Sequence, residues 1–491
     1  MKVFLILAAI TLLVRLPFFF PDVLDPDEGT FILMGQDILD GNLPYEKLWD
    51  IKPPLLPYCF AAMIALFGKT IPAVRFGGAL CVLMAAFLVY LLGERLKNSR
   101  TGFVAGVLFI IFSLPLSSGS TDSEILAAVP LTAAALVVFK DKPGTTDFFL
   151  FGLLVSTACM FRLNLAYVAL FGGICLLLPG KFLKTDSGVL RRVPAYVAGG
   201  FVPMIMLCLP FVLTGKQKLL VTPIQASLGY STQLSFPEAI YRHAARLADP
   251  WYAFGYSLIL IGSVCGLVYT AYSWKKFSGA VRTRLAVVLF FLLTTSVSTF
   301  KTGQAFEHYL IQVLPFASLI AAFFLDRLLD TGAKAVAVAA AALCLVGPVQ
   351  MIAGAYKPVV SRALDGKALV YGPAYELAEY LKEVNPDNEP VYFMTGHIAQ
   401  WFNNAKPVSA IVTHPNNIGR EYLVKALSGP SATVESELDK ILSKEPAFIV
   451  KQFNVHYLKP HPEAQRLLSE KLFMDYELVH TVGDYLVFKH F

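Results

Sequence analysis

Apolar residues dominate the chain from position 3 to position 353, in runs broken by short polar stretches. The runs at 3–20, 72–93, 102–116, 124–139, 147–162, 163–179, 193–213, 251–272, 285–299, 308–325 and 334–353 approach or reach the roughly 20 residues that a helix needs to cross a bilayer. They predict about eleven membrane spans. Arg162 and Asn164 interrupt the apolar stretch 148–179. At about 30 residues it is too long for one crossing, so it reads as two spans joined by a tight turn. Beyond Tyr356 the pattern changes. Short strand-like runs at 368–371, 390–394, 409–412, 447–451 and 485–489 alternate with helical patterns at 374–384, 434–442 and 462–472. That alternation predicts a small α/β domain.

Charge then sorts the loops. Arg95, Lys97 and Arg100 fill one loop, and Lys140 and Lys142 the next of the same parity. Lys181, Lys184, Arg191 and Arg192 follow, then Lys275, Lys276, Arg282 and Arg284, then Arg327 and Lys334. Every second loop is basic, which places these loops in the cytoplasm by the positive-inside rule. The opposite parity carries Asp25, Asp27, Glu28, Asp37, Asp40, Glu46, Asp50, Asp122, Glu124 and Glu307, and faces outward. A crossing at 55–67 would invert every later loop. That short, proline-led run is therefore a juxtamembrane or re-entrant helix on the outer side, and the amphipathic stretch 31–40 suits a helix lying in the interface. The expected architecture is a polytopic α-helical membrane protein. Residues 1–353 form the membrane part, with an outer juxtamembrane loop at 21–71, and 354–491 form an extracytoplasmic α/β domain.

Composition agrees. Of 491 residues, 56% are hydrophobic and 15% charged, with a mean hydropathy of +0.60; a soluble chain carries about 25% charge. The net charge of +6 resides in the short loops, so it reports topology and not nucleic-acid binding. All seven cysteines lie in apolar segments without a CxxC pair, as small buried hydrophobes would. The first apolar run lacks a small-x-small cleavage site and contains Arg15, so a retained helix is expected. No glycine-rich phosphate loop or dinucleotide fingerprint occurs, which argues against a nucleotide-sugar or ATP enzyme.

Candidate chemistry concentrates in the outward loops. Asp25, Asp27 and Glu28 precede an apolar stretch, where acids favour a helix N-terminus. Three acids in four residues at the mouth of a buried bundle also suit a general base or a divalent-cation ligand. Lys52 precedes Pro53 and Pro54, which hold the backbone extended. It is either a snorkelling lysine or a point charge for a lipid phosphate. Thr121 or Asp122 caps the helix starting near Ser123, or Asp122 serves as a second acid of the site; the two are compatible. Arg15 and Arg162 either snorkel or bind phosphate. His308 and Tyr309, near Lys301 and Glu307, are interfacial anchors or donor contacts. The loop 214–250 and the residue after it contain Gln225, Tyr230, Gln233, Tyr241, Arg242, His243 and Trp251, which suit a sugar, a lipid or the membrane interface. His397, His414, His456 and His461 in the tail show no metal-ligand spacing.

Asp27-Glu28 after the first helix, a following segment ending in Gly41, Lys52-Pro53-Pro54-Leu55, Leu66-Phe67-Gly68 and Arg75 together resemble the membrane glycosyltransferases of the GT-C superfamily. The nearest branch is the protein-mannosyltransferase and aminoarabinose-transferase-like group, glycosyltransferase families 39 and 83. The likeness is specific over about residues 10–95. It continues more loosely through Thr121-Asp122-Ser123 and through His308-Tyr309-Leu310 with Pro315. The resemblance implies that Asp27 is the catalytic aspartate, accompanied by Glu28. It implies that Lys52 contacts the phosphate of a polyprenyl-phosphate sugar donor, and that Asp122 belongs to a second acidic motif. Arg15, Arg162, His308 and Tyr309 become supporting substrate contacts, and Asp27 and Glu28 hold a divalent cation if the reaction uses one. Gly29, Thr30 and Phe31 replace the small residue and tyrosine that often follow the Asp-Glu pair, and Asp25 is an extra acid. The implied activity is transfer of a hexose or pentose from the lipid carrier to an acceptor hydroxyl of a lipid, a cell-envelope polysaccharide or a protein. It would take place at the outer face of the plasma (inner) membrane, among membrane lipids and without nucleic acid. The rival readings are a lipid-linked-sugar flippase and a non-catalytic envelope assembly protein. A transporter would place charges near the bilayer midplane and show paired broken helices, whereas these acids lie at one surface.

Overall fold

The structure, a computed structural model, describes residues 1–183, 185–230, 235–247, 250–302, 304 and 306–491. Each apolar run of the first 353 residues falls in a helix. The first eight long helices are α1 (Lys2–Arg15), α2 (Pro26–Leu39), α3 (Leu55–Phe67), α4 (Ile71–Leu96), α5 (Ser99–Ser117), α6 (Ser123–Val138), α7 (Thr145–Cys159) and α8 (Ala166–Cys175). Longer helices follow at Val189–Leu213, Pro250–Ser273, Gly279–Lys301, Leu314–Asp330 and Lys334–Leu364. Six segments are long and apolar enough to cross a membrane: Lys2–Phe19, Ile71–Leu96, Ser99–Ser117, Val189–Leu213, Gly279–Lys301 and Lys334–Leu364. Leu55–Phe67, Ser123–Val138, Thr145–Cys159 and Leu163–Cys175 are shorter apolar helices. The chain is an integral membrane protein.

Two findings refine the sequence reading of this part. The stretch 148–179 does break: α7 ends at Cys159, and a single 3-10 turn, Leu163–Leu165, leads into α8. The stretch 214–250, expected as a loop, holds two helices, Lys218–Tyr230 and Phe236–Leu247. Gln233 and the side chains of Tyr230, His243 and Trp251 lie outside the described residues.

Packing divides the chain into two discontinuous units. The first comprises Met1–Phe18, Arg75–Leu207 and Ser231–Ser361; the second comprises Phe19–Val74, Cys208–Tyr230 and Arg362–Phe491. In the first unit, α4 and α5 cross at Gly93 and Gly102. A Cβ on Gly93 would meet the Gly102 Cα at 2.6 Å, so only glycine allows this approach. The basic loop between these helices is tied down by acids from the helix Leu314–Asp330. Lys97 Nζ stands 2.6 Å from Asp330 Oδ2, and Arg100 pairs with Asp326 and Asp330.

The second unit joins the outer loop to the tail. Here α2 and α3 pack at Gly35, where a Cβ would meet Phe60 Cβ and the Ala61 nitrogen at 2.8 Å. The tail holds a four-stranded sheet of β1 (Val391–Phe393), β2 (Phe448–Gln452), β3 (Tyr476–Val482) and β4 (Tyr485–His490), in the order β1-β2-β4-β3. β1 and β2 are parallel and the other pairs antiparallel. Its core is Tyr392, Ile411, Ile418, Val424, Leu438, Ile441, Ile449, Leu458 and Leu468. The helices Pro373–Val384, Val434–Leu442 and Pro462–Asp475 match the predicted patterns. Two expectations fail. Residues 368–371 contribute one isolated bridge, Pro21 to Tyr371, and 409–412 fall in the 3-10 turn Ala410–Thr413, which buries Ile411 and Val412 without pairing as a strand. β3 escaped prediction because it is an edge strand exposed along most of its length, with little apolar alternation to read.

Candidate active site

The second unit builds a site around the start of α2. Asp25 is its N-cap: backbone φ −143° and ψ 132° leave the helix, and the carboxylate accepts the Asp27 N–H at 2.7 Å. Pro26 takes the first helical position, where a missing N–H costs nothing. The cluster does mark a helix N-terminus, with Asp25 as the cap. This frees Asp27 and Glu28, in the first turn, from that task. Glu28 is buried, whereas the Asp27 side chain keeps 31% of its surface exposed.

Lys52 reaches this turn from the segment before α3. Its Nζ lies 3.1 Å from Asp27 Oδ2, its side chain is 14% exposed, and the ammonium sits 5.6 Å from the centre of the Phe31 ring. Local bonds hold its backbone. The Lys52 N–H donates to Asp50 Oδ1 at 3.0 Å, and the Tyr45 hydroxyl donates to the Lys52 carbonyl at 2.5 Å. Pro53 and Pro54 fix the exit, and Pro54 is the N-cap residue of α3. Base candidate and phosphate candidate, which the sequence placed in one loop, are direct ion-pair partners.

Two tail histidines complete the group, and sequence reasoning passed over both. His414 Nε2 lies 3.1 Å from Asp27 Oδ1. His414 Nδ1 is 3.2 Å from the Asn416 backbone N–H, which can only donate; Nδ1 is therefore bare and the ring proton sits on Nε2, aimed at the carboxylate. His397 Nε2 is 3.1 Å from the Thr30 hydroxyl, one turn along α2 from Asp27. That hydroxyl also has the Pro26 and Thr413 carbonyls as acceptors at 3.3 Å and 3.4 Å. Burial, helped by His414 nearby and opposed by Asp27, pushes the His397 imidazole down to about 3, so it is neutral at physiological pH. Gly29 leaves room for this ring: a Cβ there would stand 3.1 Å from His397 Nε2. The same tail segment grips the loop that carries Lys52. Thr413 Oγ1 accepts the Trp49 N–H at 3.1 Å, and the Asn417 amide approaches Asp50 Oδ2 at 3.5 Å.

The remaining sequence candidates lie in the first unit. Arg162 Nη1 stands 3.0 Å from Glu124 Oε1, with side chains only 6% and 1% exposed. The guanidinium sits 4.2 Å from the Tyr309 ring centre, and His308 Nε2 is 3.8 Å from the same Glu124 oxygen. The Ser123 hydroxyl donates to Glu124 Oε2 at 2.9 Å. Asp122 occupies the N-cap position of α6 as expected, yet its Oδ1 receives the Ser120 hydroxyl at 2.5 Å. Arg15 is buried, donating to the hydroxyls of Ser113 at 3.1 Å and Ser117 at 3.2 Å.

Comparisons with known proteins converge on one fold. A family model of dolichyl-phosphate-mannose-protein mannosyltransferases matches residues 51–212, a segment that opens one residue before Lys52 and takes in Asp122 and Arg162. The undecaprenyl phosphate-alpha-4-amino-4-deoxy-L-arabinose arabinosyl transferase 2 of Proteus mirabilis (strain HI4320) is 29% identical over 128 residues. That match spans 25% of this chain and only 23% of the relative. ArnT from Cupriavidus metallidurans, solved bound to undecaprenyl phosphate, has a TM-score of 0.61 at 13% identity, over 99% of this chain and 97% of that one. The Archaeoglobus fulgidus oligosaccharyltransferase in its apo form has a TM-score of 0.57 at 14% identity, over 92% of this chain and 69% of that one. The chain has the GT-C fold.

Within this GT-C fold the donor set at Asp27 has a definite chemical character. One carboxylate oxygen faces an ammonium and the other an imidazole N–H. Among the described residues no group of three or more His, Cys, Asp or Glu is placed to hold a metal ion. The arrangement can hold a carboxylate ionised beside an open approach, and it can present a cation next to that carboxylate. The only advance sign of the histidines was indirect: a glycine and a threonine directly after the acidic pair, where a bulkier pair was expected.

Proposed function

We propose that this protein is a membrane glycosyltransferase that moves a sugar from a polyprenyl-phosphate carrier to an acceptor hydroxyl. The observation that carries the reading is the pairing of a partly exposed Asp27 with Lys52 at 3.1 Å, at the first turn of α2. The reaction is an inverting displacement. The acceptor oxygen attacks the anomeric carbon, its proton passes to Asp27, and the bond from that carbon to the phosphate oxygen breaks. Lys52 offsets the charge on the departing lipid phosphate. A phosphate taken by Lys52 lies within reach of a hydroxyl activated by Asp27, because the two side chains already touch. Loop charge parity, read over about eleven spans, puts both residues and the tail on the outer face of the membrane. The family match and the fold shared with ArnT and the oligosaccharyltransferase support the lipid-linked donor.

Purified Asp27→Asn, assayed with a panel of radiolabelled polyprenyl-phosphate sugars and crude envelope acceptor, should lose about a thousandfold in turnover while inserting and folding normally. Wild-type turnover in that variant would remove Asp27 as the base.

A further inference from the structure

We propose that His414 is a positioning residue for Asp27, so that the C-terminal segment supplies part of the site built at the start of α2. The proposal rests on the reading of Asp27 as the base. Three observations converge on it. The Asn416 N–H occupies His414 Nδ1 at 3.2 Å, which fixes the ring orientation and leaves a proton on Nε2. That Nε2 lies 3.1 Å from Asp27 Oδ1, while Lys52 takes Oδ2 at 3.1 Å, so the carboxylate plane is held from both sides. The side chain of His414 is 10% exposed and its backbone lies in a segment that bonds to Trp49 and Asp50. The donor is thus carried on a braced frame.

With both ring nitrogens engaged, His414 is not a second base. It orients the acid, as the carboxylate orients histidine in a hydrolase triad but with the roles exchanged. The acceptor hydroxyl then approaches Asp27 from the exposed side of its carboxylate. His397, whose ring centre is 5.9 Å from that of His414, backs this arrangement from the buried side.

The test uses the full chain in nanodiscs. A glutamine amide can place an N–H near the position of Nε2, whereas asparagine is one methylene too short. His414→Gln should therefore keep turnover within about threefold of wild type. His414→Asn and His414→Ala should lose tenfold or more in kcat, with donor KM within about twofold, because Lys52 is untouched. Histidine 15N spectra give a readout independent of activity. The His414 signal, assigned by its loss in His414→Gln, should show a bare Nδ1 and a protonated Nε2, and Asp27→Asn should shift it. Wild-type kcat in both His414→Ala and His414→Asn, with Asp27→Asn inactive, overturns the positioning role and leaves the glycosyltransferase reading standing. A His414 signal indifferent to Asp27→Asn overturns it as well. Full activity in Asp27→Asn removes the base, and the positioning role with it.

Discussion

Asp27 and Glu124 are both carboxylates in the first turn of a helix, and each is paired with a cation at about 3 Å. Their surroundings differ in one respect that decides what each can do. Glu124 and Arg162 are almost wholly buried, the guanidinium is covered by Tyr309, and Ser123 takes the second Glu124 oxygen. Asp27 keeps nearly a third of its side chain in the open, and its partners are a lysine, a point charge on a flexible stem, and a neutral imidazole. A buried ion pair is held by the cost of uncovering either charge. A partly exposed one is held less firmly and exchanges partners more readily. The contrast teaches that an acid beside a base in sequence says little; access separates a strut from a reagent.

Breaking each pair should expose this difference, and the largest effect belongs to the buried one. Arg162→Ala leaves Glu124 charged in a desolvated place and should cost about 3–5 kcal/mol of stability, read as a lower midpoint in thermal unfolding. Asp27→Asn should leave that midpoint near the wild-type value while abolishing transfer. If the two variants unfold alike, the distinction drawn from burial is wrong. Next in size, Lys52→Ala should raise the donor KM about tenfold to a hundredfold, the scale of a charged hydrogen bond, with a smaller change in kcat. Unchanged donor affinity would make Lys52 a partner of Asp27 only.

The smallest effect is one of pH. The folded value for His397, pushed down to about 3 by burial, lies below its ordinary value of 6.5. Above 6.5 both folded and unfolded chains hold the ring neutral and the term vanishes. As pH falls, the unfolded chain takes up a proton that the folded one refuses. Stability therefore falls by about 1.4 kcal/mol per pH unit, from near 6.5 down to near 3. Denaturation at a series of pH values should show this slope in the wild type, and His397→Asn should flatten it.

The two halves of the site differ in how legible they were. The acidic helix start and the pinned lysine are local features: an Asp-Pro-Asp-Glu string and a Lys-Pro-Pro string carry their own backbone geometry. The helix N-terminus reading of the acidic cluster and the break at Arg162 were readable for the same reason. The histidines were not. His397 and His414 sit far along a polar tail, in turns with no periodic pattern, and nothing in their spacing points at α2. The misread run 409–412 hid the second of them, because buried Ile411 and Val412 look like a strand while forming the 3-10 turn that delivers Thr413 and His414. The tail from Arg362 onward packs in one unit with residues 19–74 and 208–230.

The sequence by itself determined the membrane character, the helices of the long apolar runs, and the acid and lysine of the candidate site, because hydropathy, capping and proline geometry act over a few neighbouring residues. Only the tertiary structure decided that Asp27 meets Lys52 and His414, and that Glu124 is closed off by Arg162. Hydrogen bonds and ion pairs depend on distances of a few tenths of an ångström. Distances that short, between segments hundreds of residues apart, are set by packing and not by any local run of the chain.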